Sequence, residues 1–141
     1  MSNNVMSDIV DYLERIGIGK RNVDLFTRAD QGAYENRPLS IVVTSATSAR
    51  SPEITEPVDY IAPKISVAGV YGQEGEDRVG NKADEVYRAL LLILDEVING
   101  TLYISIRSTS APAFVGFDEH KRTVIEFDIE VMRYRGDTNG N

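Results

Sequence analysis

From Ile125 to Val131 the chain reads IEFDIEV, an unbroken alternation. Ile125, Phe127, Ile129 and Val131 fall at every second place, and Glu126, Asp128 and Glu130 fall between them. Successive side chains of a strand point to opposite faces, so the pattern is that of a sheet with one apolar and one wet face, not of a helix. A shorter segment before it behaves in the same way, with Leu102, Ile104 and Ile106 expected on one side and Tyr103, Ser105 and Arg107 on the other. The two are joined by residues 112 to 122, which hold Pro112, Gly116 and the only histidine, His120, and read as a loop. A sheet that is apolar on one face must bury that face under something else.

Two segments can supply the cover. Val5, Met6, Ile9, Val10, Leu13 and Ile16 recur at helical spacing with Ser7, Asp8 and Glu14 between them, which predicts an amphipathic helix over 4–17, stopped by Gly17 and Gly19. A longer helix is expected over 82–98, with Asn81 as N-cap, Asp84 and Glu85 in the first turn and Gly100 past its end. Val86, Ala89, Leu90, Ile93 and Val97 make one stripe on it, and Tyr87, Leu91, Leu94 and Ile98 make a second. That surface is wider than one sheet face needs, so the second stripe is covered either by the N-terminal helix or by another copy of the chain.

Segments 22–28, 38–45 and 63–72 read as further strands, Ile65 and Val67 sharing a face that Gly69 continues without a side chain. QEGEDRVG, 73–80, reads as an acidic loop. Residues 45–63 are rich in Ser, Thr, Ala, Glu and Pro and show no apolar period, so they are expected to be mobile in a free subunit and to order on assembly. The order of elements lacks regular βαβ alternation. The expected fold is α+β: a single domain over 4–135, with a mainly antiparallel sheet and a short N-terminal and one long helix packed on one face; 1–3 and 136–141 are expected to be flexible tails.

At 141 residues the chain is long enough for one core without metals or disulfides, and 42% hydrophobic against 26% charged residues fits a globular protein. A net charge of −7 disfavours nucleic-acid binding. The absence of cysteine removes disulfide scaffolds, thiolate metal sites and cysteine nucleophiles. The longest apolar run, ALLLIL, is too short to cross a bilayer, and no secretion signal is expected in MSNNVMSDIV.

Chemistry-bearing patterns are sparse. His120 has no second imidazole to complete a metal site, and the hydroxyl-rich SATSARS and RSTSA lack a strand–elbow–helix frame. GVYGQEG matches neither the phosphate-loop nor the dinucleotide pattern. Glu126, Asp128 and Glu130 lie about 6.8 Å apart along a strand. They form either a solvated face or, with ligands from other strands, a two-metal hydrolase site. No cofactor is expected.

The stretch NGTLYISIRSTSAPAFVGFDEHKRTVIEFDIEVMRYR resembles the C-terminal half of the small tail terminator proteins of long-tailed bacteriophages, also called minor capsid or tail completion proteins. The matching positions are Asn99, Gly100, Arg107, Pro112, Gly116, Asp118 and Arg122, and a looser likeness runs over most of 5–135. Where the family's strand before the helix often carries charges, this chain has SVAGVYG. The resemblance implies a non-enzymatic virion protein that forms a ring, commonly a hexamer, on the head-proximal end of the tail tube. Such a ring stops tube polymerisation and meets the head connector. The implied partners are further copies of the chain, the tube protein and a connector or neck protein, with DNA passing unbound and no membrane. A head-side neck or connector-completion protein is the alternative. On this reading the expected oligomer contacts are Tyr87, Leu91, Leu94, Ile98, Phe114, Phe117, Asp118 and Arg122. The Asp118–Arg122 pair serves either to pin its own loop or to dock a neighbour. Glu126, Asp128 and Glu130 are the expected lining of the channel, repelling DNA.

Overall fold

The computed structural model describes residues 4–28, 37–48, 57–70 and 73–134. The segments 1–3 and 136–141, read as tails, lie outside the described residues. Helix α1 (Val5–Arg15) is followed by β1 (Leu25–Thr27), β2 (Leu39–Ser48), β3 (Val58–Gly69), helix α2 (Gln73–Leu91), β4 (Leu94–Ile98), β5 (Thr101–Phe117) and β6 (Thr123–Tyr134). The six strands make one sheet in the order β1-β2-β3-β6-β5-β4, in which only β1 and β2 run parallel. The fold is α+β as expected, with both helices on one face.

α1 starts where Asn4 Oδ1 accepts hydrogen bonds from the backbone N–H groups of Met6 and Ser7, and Gly17, at a φ of 86°, lies just past its end. Val5, Ile9, Val10 and Leu13 are buried against β1, β2 and β3. α2 buries Val79, Ala83, Val86 and Leu90 over β3, β5 and β6, on Ile65, Val67, Phe127, Ile129 and Val131. Gly69 permits this approach, since a Cβ there would stand 2.5 Å from Val79 Cγ2.

Several expectations need correction. The acidic loop 73–80 is the beginning of α2, so Asn81 lies inside the helix and caps nothing; the buried run Val79, Ala83, Val86, Leu90 carries the helical period upstream of Asn81. The helix also stops at Leu91 instead of Ile98. The N–H groups of Leu92 and Ile93 close it with bonds reaching back three residues, to the carbonyls of Ala89 and Leu90, and β4 then forms a hairpin with β5. The turn is Asn99–Gly100, both at positive φ (49° and 82°), the two-residue geometry whose twist matches that of paired strands. The second apolar stripe therefore does not exist as a helix face.

Residues 112–117 are strand instead of loop, because β5 stays paired with β6 down to Phe117↔Thr123 and the turn needs only 118–122. The irregular segment expected over 45–63 shrinks from both ends, with β2 reaching Ser48 and β3 starting at Val58; 49–56 lie outside the described residues. β1 is also shorter than the strand expected over 22–28.

The alternation in β6 holds as read, with Phe127, Ile129 and Val131 buried. In β5 it does not. An irregularity between Tyr103 and Ser105 shifts the register, so Tyr103 and Ile106 are the buried pair while Leu102 and Ile104 are half-buried.

Candidate assembly surfaces

Beneath α1 lies a polar knot that holds the helix to the β4–β5 hairpin. The Tyr103 hydroxyl donates to Asp8 Oδ2, Asn99 Nδ2 donates to Asp8 Oδ1 at 2.8 Å and to Asp11 Oδ2 at 3.0 Å, and Arg133 Nη1 donates to the Tyr103 oxygen at 3.3 Å. Arg133 also lies 3.8 Å from Asp8, and Arg15 pairs with Glu96 at 2.9 Å on the rim. Asp8, Tyr103 and Arg133 are all buried. Burial, then the hydrogen bond and charge of Asp8, push the Tyr103 phenol above its ordinary range, Arg133 opposing. Asp8, expected among the polar residues between the apolar positions of α1, is 2% exposed. On the helical wheel Asp8 falls just beyond Val5, at the edge of the apolar arc, so spacing alone does not mark it as buried.

Asp118 and Arg122 are engaged within their own chain. Arg122 Nε donates to Asp118 Oδ2 at 2.8 Å, and its Nη1 reaches the Arg37 carbonyl and Ser40 Oγ, both at 3.1 Å. Asp118 Oδ1 accepts from the backbone N–H groups of His120 and Arg122, each at 2.9 Å. Burial pushes the Asp118 carboxyl up, but the Arg122 N–H, the Arg122 guanidinium and the His120 N–H together outweigh it and hold the group below the usual carboxylate range. The pair ties the β5–β6 turn to the start of β2.

The other expected contact residues separate by exposure. Ile98 is 2% exposed and belongs to the core. Tyr87 and Leu91 are half-buried against it; Tyr87 meets the Phe127 ring edge-on at 5.1 Å and its hydroxyl lies 2.7 Å from Ser108 Oγ. Leu94 on β4 is 70% exposed, next to Leu92 and near Val97, which are also exposed. Phe114 and Phe117, 56% and 51% exposed, stack edge to face at 5.4 Å. Exposed aromatic pairs of this kind are typical interface anchors.

Glu126, Asp128 and Glu130 do lie on the face of the sheet away from the helices, but not as a bare acidic ladder. Lys64 of β3 stands 3.4 Å from Glu126 and 3.9 Å from Asp128. Arg107, directly opposite Glu130 in β5, pairs with it at 2.7 Å, and Glu130 is only 8% exposed. Three carboxylates thus share two cations. Toward the start of β2, the same face forms a shallow groove of about 260 Å³ floored by Ser40, Val42, Ser66, Ala68 and Val124, with Arg122 and Asp118 at one end. Among the described residues no cluster of three or more His, Cys, Asp or Glu could hold a metal ion.

No family model and no curated protein matches this sequence. The fold has a counterpart. A chain in a solved structure described as the virion of a native gene transfer agent particle superimposes with a TM-score of 0.62, covering 94% of this chain and 87% of that one at 12% identity. At that identity the two chains share a fold, over nearly their whole lengths.

Proposed function

We propose that this chain is a structural virion protein of a phage-like particle, forming a ring at the head-proximal end of the tail tube. There it stops tube polymerisation and offers the surface that joins tail to head. The observation that carries the reading is the chain-long likeness to a subunit of the gene transfer agent virion. The tail terminator resemblance in the β5–β6 hairpin rests on the sequence alone and is independent of that likeness. The role is non-enzymatic. The carboxylates that a hydrolase would have needed are paired with Lys64 and Arg107, which favours a solvated, charge-compensated face. In the ring, the partners are further copies of the chain, in a hexamer, with the tube protein on one side and a connector or neck protein on the other.

The face bearing Glu126, Asp128 and Glu130 is the surface we place toward the channel. Among the described residues its three carboxylates outnumber Lys64 and Arg107 by one, and both cations are engaged with those carboxylates, which weakens any hold on a passing phosphate backbone. A head-side neck protein fits the same likeness, because the neighbour's description covers a whole particle. Deleting the gene and imaging the particles separates the two. Without a terminator, tails grow past their normal length and stay apart from filled heads. Without a head-side completion protein, tails keep their length while heads lose DNA. Joined particles with tails of normal length would overturn both.

A further inference from the structure

Among the described residues the sheet is paired over only part of each margin, and the two remaining stretches are complementary. β5 has 17 residues, but β4 pairs with it only between Thr101 and Ser105. From Ile106 on, among the described residues, the margin of β5 opposite β6 carries no strand. At the other margin, β1 pairs with β2 only at Ile41–Val43, and β2 runs on to Ser48 without a described strand outside it. Free strand margins template further pairing, and proteins that stay monomeric guard them with charge. Among the described residues the one charge in these stretches is Arg107, whose guanidinium is held by Glu130 of β6 at 2.7 Å; no charged residue occurs from Ser108 to Phe117 or from Leu39 to Ala49, in a chain that is 26% charged.

The levels and directions of the two margins also agree. Thr44, Lys64, Asp128 and Ser110 are successive Cα partners across the sheet, and so are Ser48, Ile61, Val131 and Ile106. The free part of β2, 44–48, therefore stands level with 106–110 of β5. Each of the three steps from β2 to β5 is antiparallel, so β5 runs opposite to β2. Below Ser110, β5 comes level with β1, where a neighbour's margin is already occupied. There the pairing of β5 with β6 is irregular between Ser110 and Ala113, and Pro112, which has no N–H to donate, falls inside that irregularity. Phe114 and Val115, both exposed, come after it.

We propose that copies of this chain join by strand addition, the margin of β5 over Ile106–Ser110 pairing antiparallel with the margin of β2 over Thr44–Ser48 of the next copy. The proposal deepens the ring reading and rests on it for closure. Two different patches meet, so the contact is head-to-tail and propagates around a ring instead of ending at a dimer. Backbone hydrogen bonds supply the register, and the neighbour's β1 region receives Phe114 and Val115.

The chain has no native cysteine, which makes the test direct. Directly opposed residues of antiparallel strands have Cβ atoms about 4.5–5.5 Å apart, close to disulfide reach. Concentrated Thr44→Cys/Ser110→Cys protein, and virions carrying it, should give under mild oxidation a ladder of covalent multimers ending in one closed species, while each single variant gives none. Ser110→Lys, which guards the margin, should cut assembly at least tenfold with the melting temperature held within about 2 °C. Rings visible by electron microscopy with no ladder, and a Ser110→Lys variant that still assembles, would overturn the strand pairing and leave the ring reading standing. A ladder that builds open filaments would support the pairing and overturn the ring. Covalent dimers from Ser110→Cys alone would point to symmetric β5–β5 pairing and overturn the proposal, and monomers under every condition would overturn both readings.

Discussion

A buried carboxylate is tolerated only where donors surround it, and Asp8 has three of them: the Tyr103 hydroxyl, the Asn99 amide and the Arg133 guanidinium nearby. Tyr103→Phe removes one neutral donor and should cost about 1–3 kcal/mol. Asp8→Ala takes the nearer carboxylate from buried Arg133, whose other carboxylate, Asp59, lies 4.0 Å away, and should cost about 3–5 kcal/mol. Urea unfolding of the two variants checks the order, and equal small losses would mean that water replaces the network. Asp118 gives a pH-dependent counterpart. Its carboxyl is held below the ordinary range in the fold, so its contribution is present above that range and is lost as pH falls through the lowered value. The stability gap between wild type and Asp118→Asn should therefore be widest near neutrality and close in acid. A gap independent of pH would show that the turn needs only the side-chain shape.

For the elements, the segment ALLLILDEVI decides the topology of the right half of the sheet, and local pattern does not resolve it. Apolar runs of this length suit a helix or a buried strand, and Gly100 reads equally as a helix stop or as the second residue of a hairpin turn. The Asn before it favours the hairpin, which is what forms. The consequence is measurable. Leu90→Ala empties a fully buried site under α2 and should cost about 2–5 kcal/mol. Leu94→Asp, on an exposed position of β4, should stay within about 0.5 kcal/mol. If Leu94→Asp nevertheless abolishes assembly, the β4 surface joins the contact; a continuous helix to Ile98 would have made the two losses similar.

Across the whole molecule, the helices take one face of the sheet and leave the other to a charge pattern that is almost balanced. That balance makes the carboxylates unequal. Glu130→Lys would place a cation against Arg107 at a nearly buried site and should lower the melting temperature by several degrees. Glu126→Lys/Asp128→Lys, at more open positions beside Lys64, should fold with little loss. If the face lines a channel, the double variant should release DNA slowly, with the delay relieved by salt. Normal DNA delivery at low salt would place the face elsewhere.

The period-2 alternation in β6 and the period of α1 were decided locally, because a half-buried strand and a surface helix each imprint their own spacing on the residues they bury. The α+β class and the one-sided helices followed from those two patterns. The ends of α2, the continuation of β5 past Pro112 and the inward turn of Tyr103 were decided by tertiary contacts. β6 holds β5 in register down to the 118–122 turn, Val79 draws the acidic segment into a helix, and Asp8 receives the hydroxyl of Tyr103. Strand pairing and burial of polar groups depend on residues far apart in the chain, and a local pattern carries no record of the partner.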